Sequence, residues 1–438
     1  MLAGASCLAA GYDKGPTDVP PTLQAEVEAF FRTDAARDRG KLAASIADKH
    51  ASQPALVARA VEHANAWSEL PHQRGKYVFD SPPSGIVTVE YALPDDYAPT
   101  RRTPLLVCTR GASGDADATF ALVEALLGPS VRAYVRICVD NSMAKWHFEQ
   151  PPNAGNLRLA LLQARKMIRV DAERAFLFGV DEGADGAWLA AMSYPDLFAG
   201  AIVVDGYPHV PYAEQIYPLL LENLRALPIL AVWHEVDGDE TSGRGRVVAV
   251  RNRGIVEYAA KTSLPITGLE LPAAAQGALP RGAVTKLLEH SRQPGTGVVS
   301  HWFRYAAQGR SHWLIQTAQD GDVWTADQIS ILAASSADRD SWIRQVLLEK
   351  LGYLGGRVNE NIITIEAHGS ARIEVDFEDG MVDWGKPVTI VCNGRRRDAG
   401  VIAPSVVTML NHAYETWDFQ RPVFAKLSIP VRGGVPVP

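Results

Sequence analysis

The chain has 438 residues, 47% apolar and 21% charged, enough length for two or three domains with ordinary buried cores. A net charge of −7 with no long basic run argues against nucleic acid as the main partner. No run of about 18 apolar residues is present, so no membrane-spanning helix is expected.

The first residues, "MLAGASCLAAGYDKGPTDVPP", place small residues ahead of Cys7 and then a Pro/Gly-rich tether. This is the outline of a lipid-anchor cleavage site without the charged and apolar parts of a signal peptide. Two readings of localisation stay open: export or anchoring at Cys7 if the true start lies upstream, and a cytoplasmic protein with a flexible tail (1–19) otherwise.

From 20 to 75, apolar residues recur three or four apart in "LQAEVEAFFRTDAARDRGKLAASIADKH" and "ALVARAVEHANAW". Two or three amphipathic helices are expected, with packing or partner contact as their role. From 76 to 295, strand-like runs ("GIVTVEYAL", "TPLLVCTRG", "RAYVRICVDN", "RAFLFGV", "AGAIVVDG", "LPILAVWHE", "ITGLELP") alternate with helical ones. That alternation predicts an α/β region, a doubly wound and mainly parallel sheet whose chemistry collects at the carboxyl ends of the strands. Cys108 and Cys138 fall inside two of these runs and read as buried thiols; none of the four cysteines has metal-ligand spacing. From 296 to 438, strands dominate around one short helix, "SVVTMLNHAYE", and "CNGR" has the chemistry of a hairpin turn. A small antiparallel β-sandwich is expected there, with "RQPGTG" as a hinge before it.

Several stretches resemble the α/β-hydrolase superfamily of the esterase and prolyl-oligopeptidase-like type, in that family's order. They are "YALPDDYAPTRRTPLLVCTRG", "IRVDAERAFLFGVDEGADGAW", "YPDLFAGAIVVDG" and "LPILAVWHEVDGDE". The resemblance spans roughly 80 to 290; the tail, with "GRSHWL" and "GMVDWGKPVTIVCNGR", resembles the C-terminal β-domain of secreted bacterial esterase-like proteins. It implies a nucleophile on a sharp strand-to-helix turn, a histidine base held by a carboxylate, and two backbone N–H groups facing the oxyanion.

At the nucleophile position this chain carries Asp181, inside Gly179-Val180-Asp181-Glu182-Gly183. The carboxylate position matches Asp237 in "HEVDGDE", and the backbone N–H groups of Ala112 and Glu182 match the oxyanion donors. The loop where the family carries its histidine reads "ELPAAAQGALPRGAV"; it has no histidine, and Gln276 does not titrate near neutral pH. Arg110 replaces a usual histidine beside the oxyanion strand, and Arg110, Trp146 and Trp233 are the expected substrate-side residues.

These substitutions point to a degenerate α/β-hydrolase that acts as a binding or structural module, taking a protein partner or a small ester-like ligand and needing no cofactor. The alternative is an active hydrolase in which Asp181 forms an ester intermediate and a histidine from elsewhere, such as His209, His290, His301 or His312, serves as base. A third reading gathers Asp181, Glu182, Asp185, Asp205 and Asp237 around calcium or magnesium.

Overall fold

The computed structural model describes residues 19–81, 85–110, 115–139, 155–208, 217–235, 243–275, 277–293, 297–321 and 350–431. Three helices come first, α1 (Pro21–Arg32), α2 (Ala36–His50) and α3 (Pro54–His63). Pro21 and Pro54 open α1 and α3, where a missing N–H costs nothing. Leu23, Val27, Phe30 and Phe31 form the buried stripe of α1, at the spacing of one helix face. That stripe packs on the far end of the chain: helix α10 (Val406–Thr416) and the rings of Trp417 and Phe419. The Phe31 and Phe419 centroids are 4.3 Å apart.

The central sheet has eight strands: β1 (Arg74–Ser81), β2 (Gly85–Ala92), β3 (Thr103–Thr109), β4 (Val135–Val139), β5 (Val170–Val180), β6 (Gly200–Val204), β7 (Ile229–His234) and β8 (Ile266–Leu271). Their order is β1-β2-β4-β3-β5-β6-β7-β8; β1–β2 and β2–β4 run antiparallel and the remaining pairs parallel. This is the doubly wound α/β-hydrolase arrangement. Alternate side chains feed two cores. Leu105, Val107, Val203 and Trp233 face one, under α5 (Asn156–Met167), α6 (Glu182–Ser193) and α8 (Arg244–Thr262). Leu106, Cys108, Ile202 and Val232 face the other, under α4 (Ala116–Leu127) and α9 (Arg281–Leu288). Burial on both faces is why these strands read as unbroken apolar runs. Cys108 and Cys138 are buried free thiols, and burial pushes the Cys108 thiol up. No described helix is long and apolar enough to cross a membrane.

Two further sheets follow. One orders β10 (Arg310–Ser311), β11 (Leu314–Gln319), β14 (Ser370–Glu378) and β17 (Val423–Pro430). The other orders β16 (Arg395–Val401), β15 (Pro387–Cys392), β13 (Ile362–His368), β12 (Gly352–Asn359) and β9 (Val298–Phe303). Their inner faces share one core, with Leu354, Ile363 and Ile390 from one sheet against Leu314, Val375 and Phe377 from the other. The sandwich is not wholly antiparallel as expected, because β13 and β15 pair in parallel through the crossover that contains β14. Asn393 and Gly394, both at positive φ, make the expected β15–β16 hairpin turn.

One buried ionic knot ties these parts together. Arg292, whose side chain is 3% exposed, meets Asp418 at 2.7 Å and Glu173 at 2.8 Å. Glu173 lies at the start of β5 and also receives Arg421 at 2.8 Å, while Arg165 of α5 reaches Asp418 at 3.5 Å. Ion pairing holds the Asp418 carboxyl well below the usual range despite its burial. Asp418→Ala should cost about 3–5 kcal/mol in urea unfolding, because it strands Arg165 as an unpaired buried charge and leaves Arg292 with Glu173 alone.

Acid sensitivity follows from the same region. Burial lowers His312 to about 4 and His412 to about 3, so the folded state resists protons that the unfolded chain accepts near 6.5. Their stabilisation is complete above 6.5 and is lost as the pH falls below it, by about 1.4 kcal/mol per pH unit for each histidine. Asp376, raised by burial to about 7, acts in the opposite sense, and its penalty is relieved over the same fall. Melting temperature should therefore drop from pH 6.5 to pH 4.5, and His412→Asn should flatten that slope.

Candidate active site

The turn at the end of β5 forms because two glycines let three chain segments touch. A Cβ on Gly179 would sit 2.3 Å from the Gly183 carbonyl oxygen, and one on Gly183 would sit 2.2 Å from that of Thr109. The Thr109 hydroxyl donates to the Gly183 carbonyl at 2.6 Å and fastens the turn to β3. Asp181 occupies the tip at φ 52°, ψ −123°, a conformation that non-glycine residues rarely adopt. Its N–H donates to the Val204 carbonyl at 2.9 Å, and its carbonyl accepts from Ala184 at 3.0 Å, starting α6. The geometry of a nucleophile turn is intact, with a carboxylate at its tip.

The next two strands deliver an acid and an imidazole. Val180, Val204 and Val232 are in register across β5, β6 and β7, so the residues that follow them share the carboxyl edge. Asp205, at φ 55°, leaves β6 and accepts the His234 backbone N–H at 3.0 Å. His234 Nδ1 lies 2.8 Å from the same carboxylate, and both side chains are about one-third exposed. Asp185 on α6 accepts the Tyr207 N–H at 2.9 Å and pairs with Arg244 of α8 through both oxygens, at 2.9 and 3.0 Å. The Arg244 guanidinium lies 5.8 Å from the Tyr207 ring centroid. Asp181 is exposed, yet the protein crowding its carboxyl and then the Asp205 charge raise its pKa; Arg244 and His234 oppose this, and Glu182 adds to it.

The sequence-expected residues fare unequally. Asp181 and Glu182 stand at the turn, and Arg110 is half-buried just after β3. Ala112, Trp146, His209, Asp237 and Gln276 lie outside the described residues. Trp233 does not line the edge as expected: it is 3% exposed, inside the core against Gly268, because strand alternation sends it to the face under α8. His290, His301 and His312 belong to the opposite edge. His290 ends α9, two residues from Arg292, whose backbone N–H bonds Glu173 at the start of β5. His312 meets Asp196 just beyond the far end of α6, and His301 is fully buried against the Gln308 carbonyl.

Among the described residues, the imidazole that reaches the edge is His234, which sequence reasoning passed over. Its signal lay in "AVWHE", a histidine closing a buried strand where doubly wound sheets bind ligands. Among the described residues, no cluster of three or more His, Cys, Asp or Glu side chains is placed to hold a metal ion.

No family model matches the chain, and no curated protein matches its sequence. Solved structures are similar to it over about half its length. A thermostable esterase shares 22% identity at a TM-score of 0.38, over 50% of this chain and 64% of that one. The feruloyl esterase module of Clostridium thermocellum shares 11% identity at 0.36, over 51% of this chain and 88% of that one. The S-formylglutathione hydrolase of Staphylococcus aureus shares 13% identity at 0.35, over 49% of this chain and 98% of that one.

The strained tip gives a direct test. Asp181→Gly should stabilise the fold by about 1 kcal/mol or more in urea unfolding, since glycine accepts this backbone freely. Gly183→Ala should destabilise it by about 1–3 kcal/mol by forcing the turn off β3.

Proposed function

We propose that this chain is an α/β-hydrolase scaffold that has lost serine-type catalysis and serves as a ligand-binding or structural module through its carboxyl edge. The observation that carries this reading is the tip of the turn, which presents the Asp181 carboxylate where a hydrolytic triad needs a hydroxyl. An ionised carboxylate has no proton to surrender, so the proton relay loses its purpose. The imidazole at the same edge, His234, is held by Asp205 at 2.8 Å. In one studied hydrolase, loss of nucleophile or base lowers turnover by on the order of a million-fold. An ester-like small molecule or a protein surface is the proposed occupant of the edge.

The Asp205–His234 pair favours one second reading. A carboxylate on Nδ1 selects the tautomer whose Nε2 accepts a proton. In that reading Asp181 attacks an ester carbonyl, the alkoxide leaves and takes a proton from water, and His234, in place of His209, His290 or His312, deprotonates the water that cleaves the acyl–Asp181 anhydride.

A panel of aryl and alkyl esters incubated with wild type, Asp181→Ala, His234→Gln and Asp181→Ser separates the two. No turnover above the blank is expected from any of them, and no mass gain on Asp181. Wild-type turnover abolished in Asp181→Ala would overturn the first reading. Turnover gained in Asp181→Ser and lost again in Asp181→Ser/His234→Gln would show that His234 still serves as a base.

A further inference from the structure

At the amino edge of the central sheet, opposite Asp181, a cavity of about 70 Å³ lies between α5, α10 and β14. Its wall is ionic on every side, with Arg158 and Arg165 from α5, Asp196 after α6, Arg310 from β10, Asp376 from β14 and His412 from α10. Part of this charge is already satisfied. Asp418 is held by Arg292 and Arg165, and Glu173 by Arg292 and Arg421. Arg158 and Arg310 stay outside that network, with no carboxylate of the described residues within ion-pair distance of either.

Several deeply buried groups on the same wall are also incomplete. Arg165, 5% exposed, has no partner for Nε or Nη2, and His412, 8% exposed, has none for Nδ1. Asp196, 6% exposed, has none for Oδ1, whereas Asp376, 2% exposed, meets Lys426 at 3.7 Å through its Oδ1. Buried polar groups are ordinarily paired, so three incomplete ones around one void point to something that fills it.

Water alone answers only part of this need. The void has room for about five waters. These would complete single donors and acceptors but would not bridge the two guanidinium groups, neither of which has a direct ion pair among the described residues. Asp196 acts on both arginines only through its charge, and desolvation and then the Arg310 charge lower the pKa of Arg158. A planar anion placed between two guanidinium groups satisfies both by paired N–H···O bonds. The acceptor left on Asp196 suits a hydroxyl beside that anion, since Asp196 stays ionised under the charges around it.

We propose that this cavity is a binding site for a small hydroxy-carboxylate, clamped by Arg158 and Arg310 with Arg165 behind them and Asp196 accepting its hydroxyl. The site is built from the α/β region and the sandwich together, so its occupant would also bind the two to each other.

Titration calorimetry of the full chain with lactate, acetate and inorganic phosphate tests this. Lactate should bind with a dissociation constant on the order of 1 mM or tighter, acetate more weakly, and phosphate more weakly than lactate. Arg310→Gln and Arg158→Gln should each weaken lactate at least about tenfold, the loss expected from one charged contact of roughly 1.4 kcal/mol. Arg158 sits at the exposed rim, so its variant keeps the test valid even if Arg310→Gln fails to fold. Saturating lactate should raise the melting temperature of the wild type and not that of a folded Arg158→Gln. No heat with lactate at about 10 mM, unchanged affinity in Arg158→Gln, or phosphate binding in preference to lactate would overturn the proposal. So would loss of lactate binding in Asp181→Ala, which would place the carboxylate at the opposite edge.

Discussion

The side chain of Arg292 holds this molecule in one piece. It emerges after the last helix of the α/β region and reaches the start of β5 through Glu173 and the segment after α10 through Asp418. A guanidinium out of water is tolerable only with such partners, and here it has two carboxylates in near-contact. The same segment is stitched to β5 a second time, where Gln420 accepts the Ala172 N–H at 2.8 Å and donates to Asp171 at 3.0 Å. Because Trp417 and Phe419 flank Asp418, the knot also positions the aromatic cluster on which the N-terminal helices pack. Chain start, central sheet and chain end are thereby referred to one buried charge.

That arrangement leaves the two edges of the central sheet with different chemistry. The carboxyl edge carries the exposed Asp181 beside two tied pairs, His234 on Asp205 and Arg244 on Asp185. The amino edge carries deeply buried arginines, and the C-terminal sheets close over it. The strained tip at Asp181 is kept although a glycine would suit its backbone better. Strain of this kind persists where surrounding structure over-determines it, and the close contacts of Gly179, Gly183 and Thr109 do so here.

Legibility in the sequence followed burial. Strands buried on both faces, such as β3, β6 and β7, stood out as apolar runs, and the turn stood out through its glycines. Strands β1, β12 and β16 did not. In β12 the glycines lower strand propensity, but Gly352 and Gly356 are required because the rings of Phe303 and Trp313 occupy the space a Cβ would take. In β16 the run Arg395-Arg396-Arg397-Asp398 is a solvated edge strand, written in charges that deter further pairing. The parallel β13–β15 pair was hidden for a different reason. Side-chain alternation is the same in parallel and antiparallel neighbours, so only the connection through β14 decides the direction.

The sequence by itself determined the layered α/β frame, the turn and the carboxylate at its tip, because these depend on periodicity and on residues adjacent in the chain. Only the tertiary structure decided which imidazole stands near Asp181. His234 is 53 positions away and reaches the edge because β5, β6 and β7 lie side by side, whereas His290 and His312 are carried to the opposite end by the helices before them. The ionic knot and the cavity beside it were equally invisible. Arg158, Arg292, Arg310 and Asp418 come from separate segments, and single charged residues in a sequence read as solvated surface until folding puts them out of reach of water.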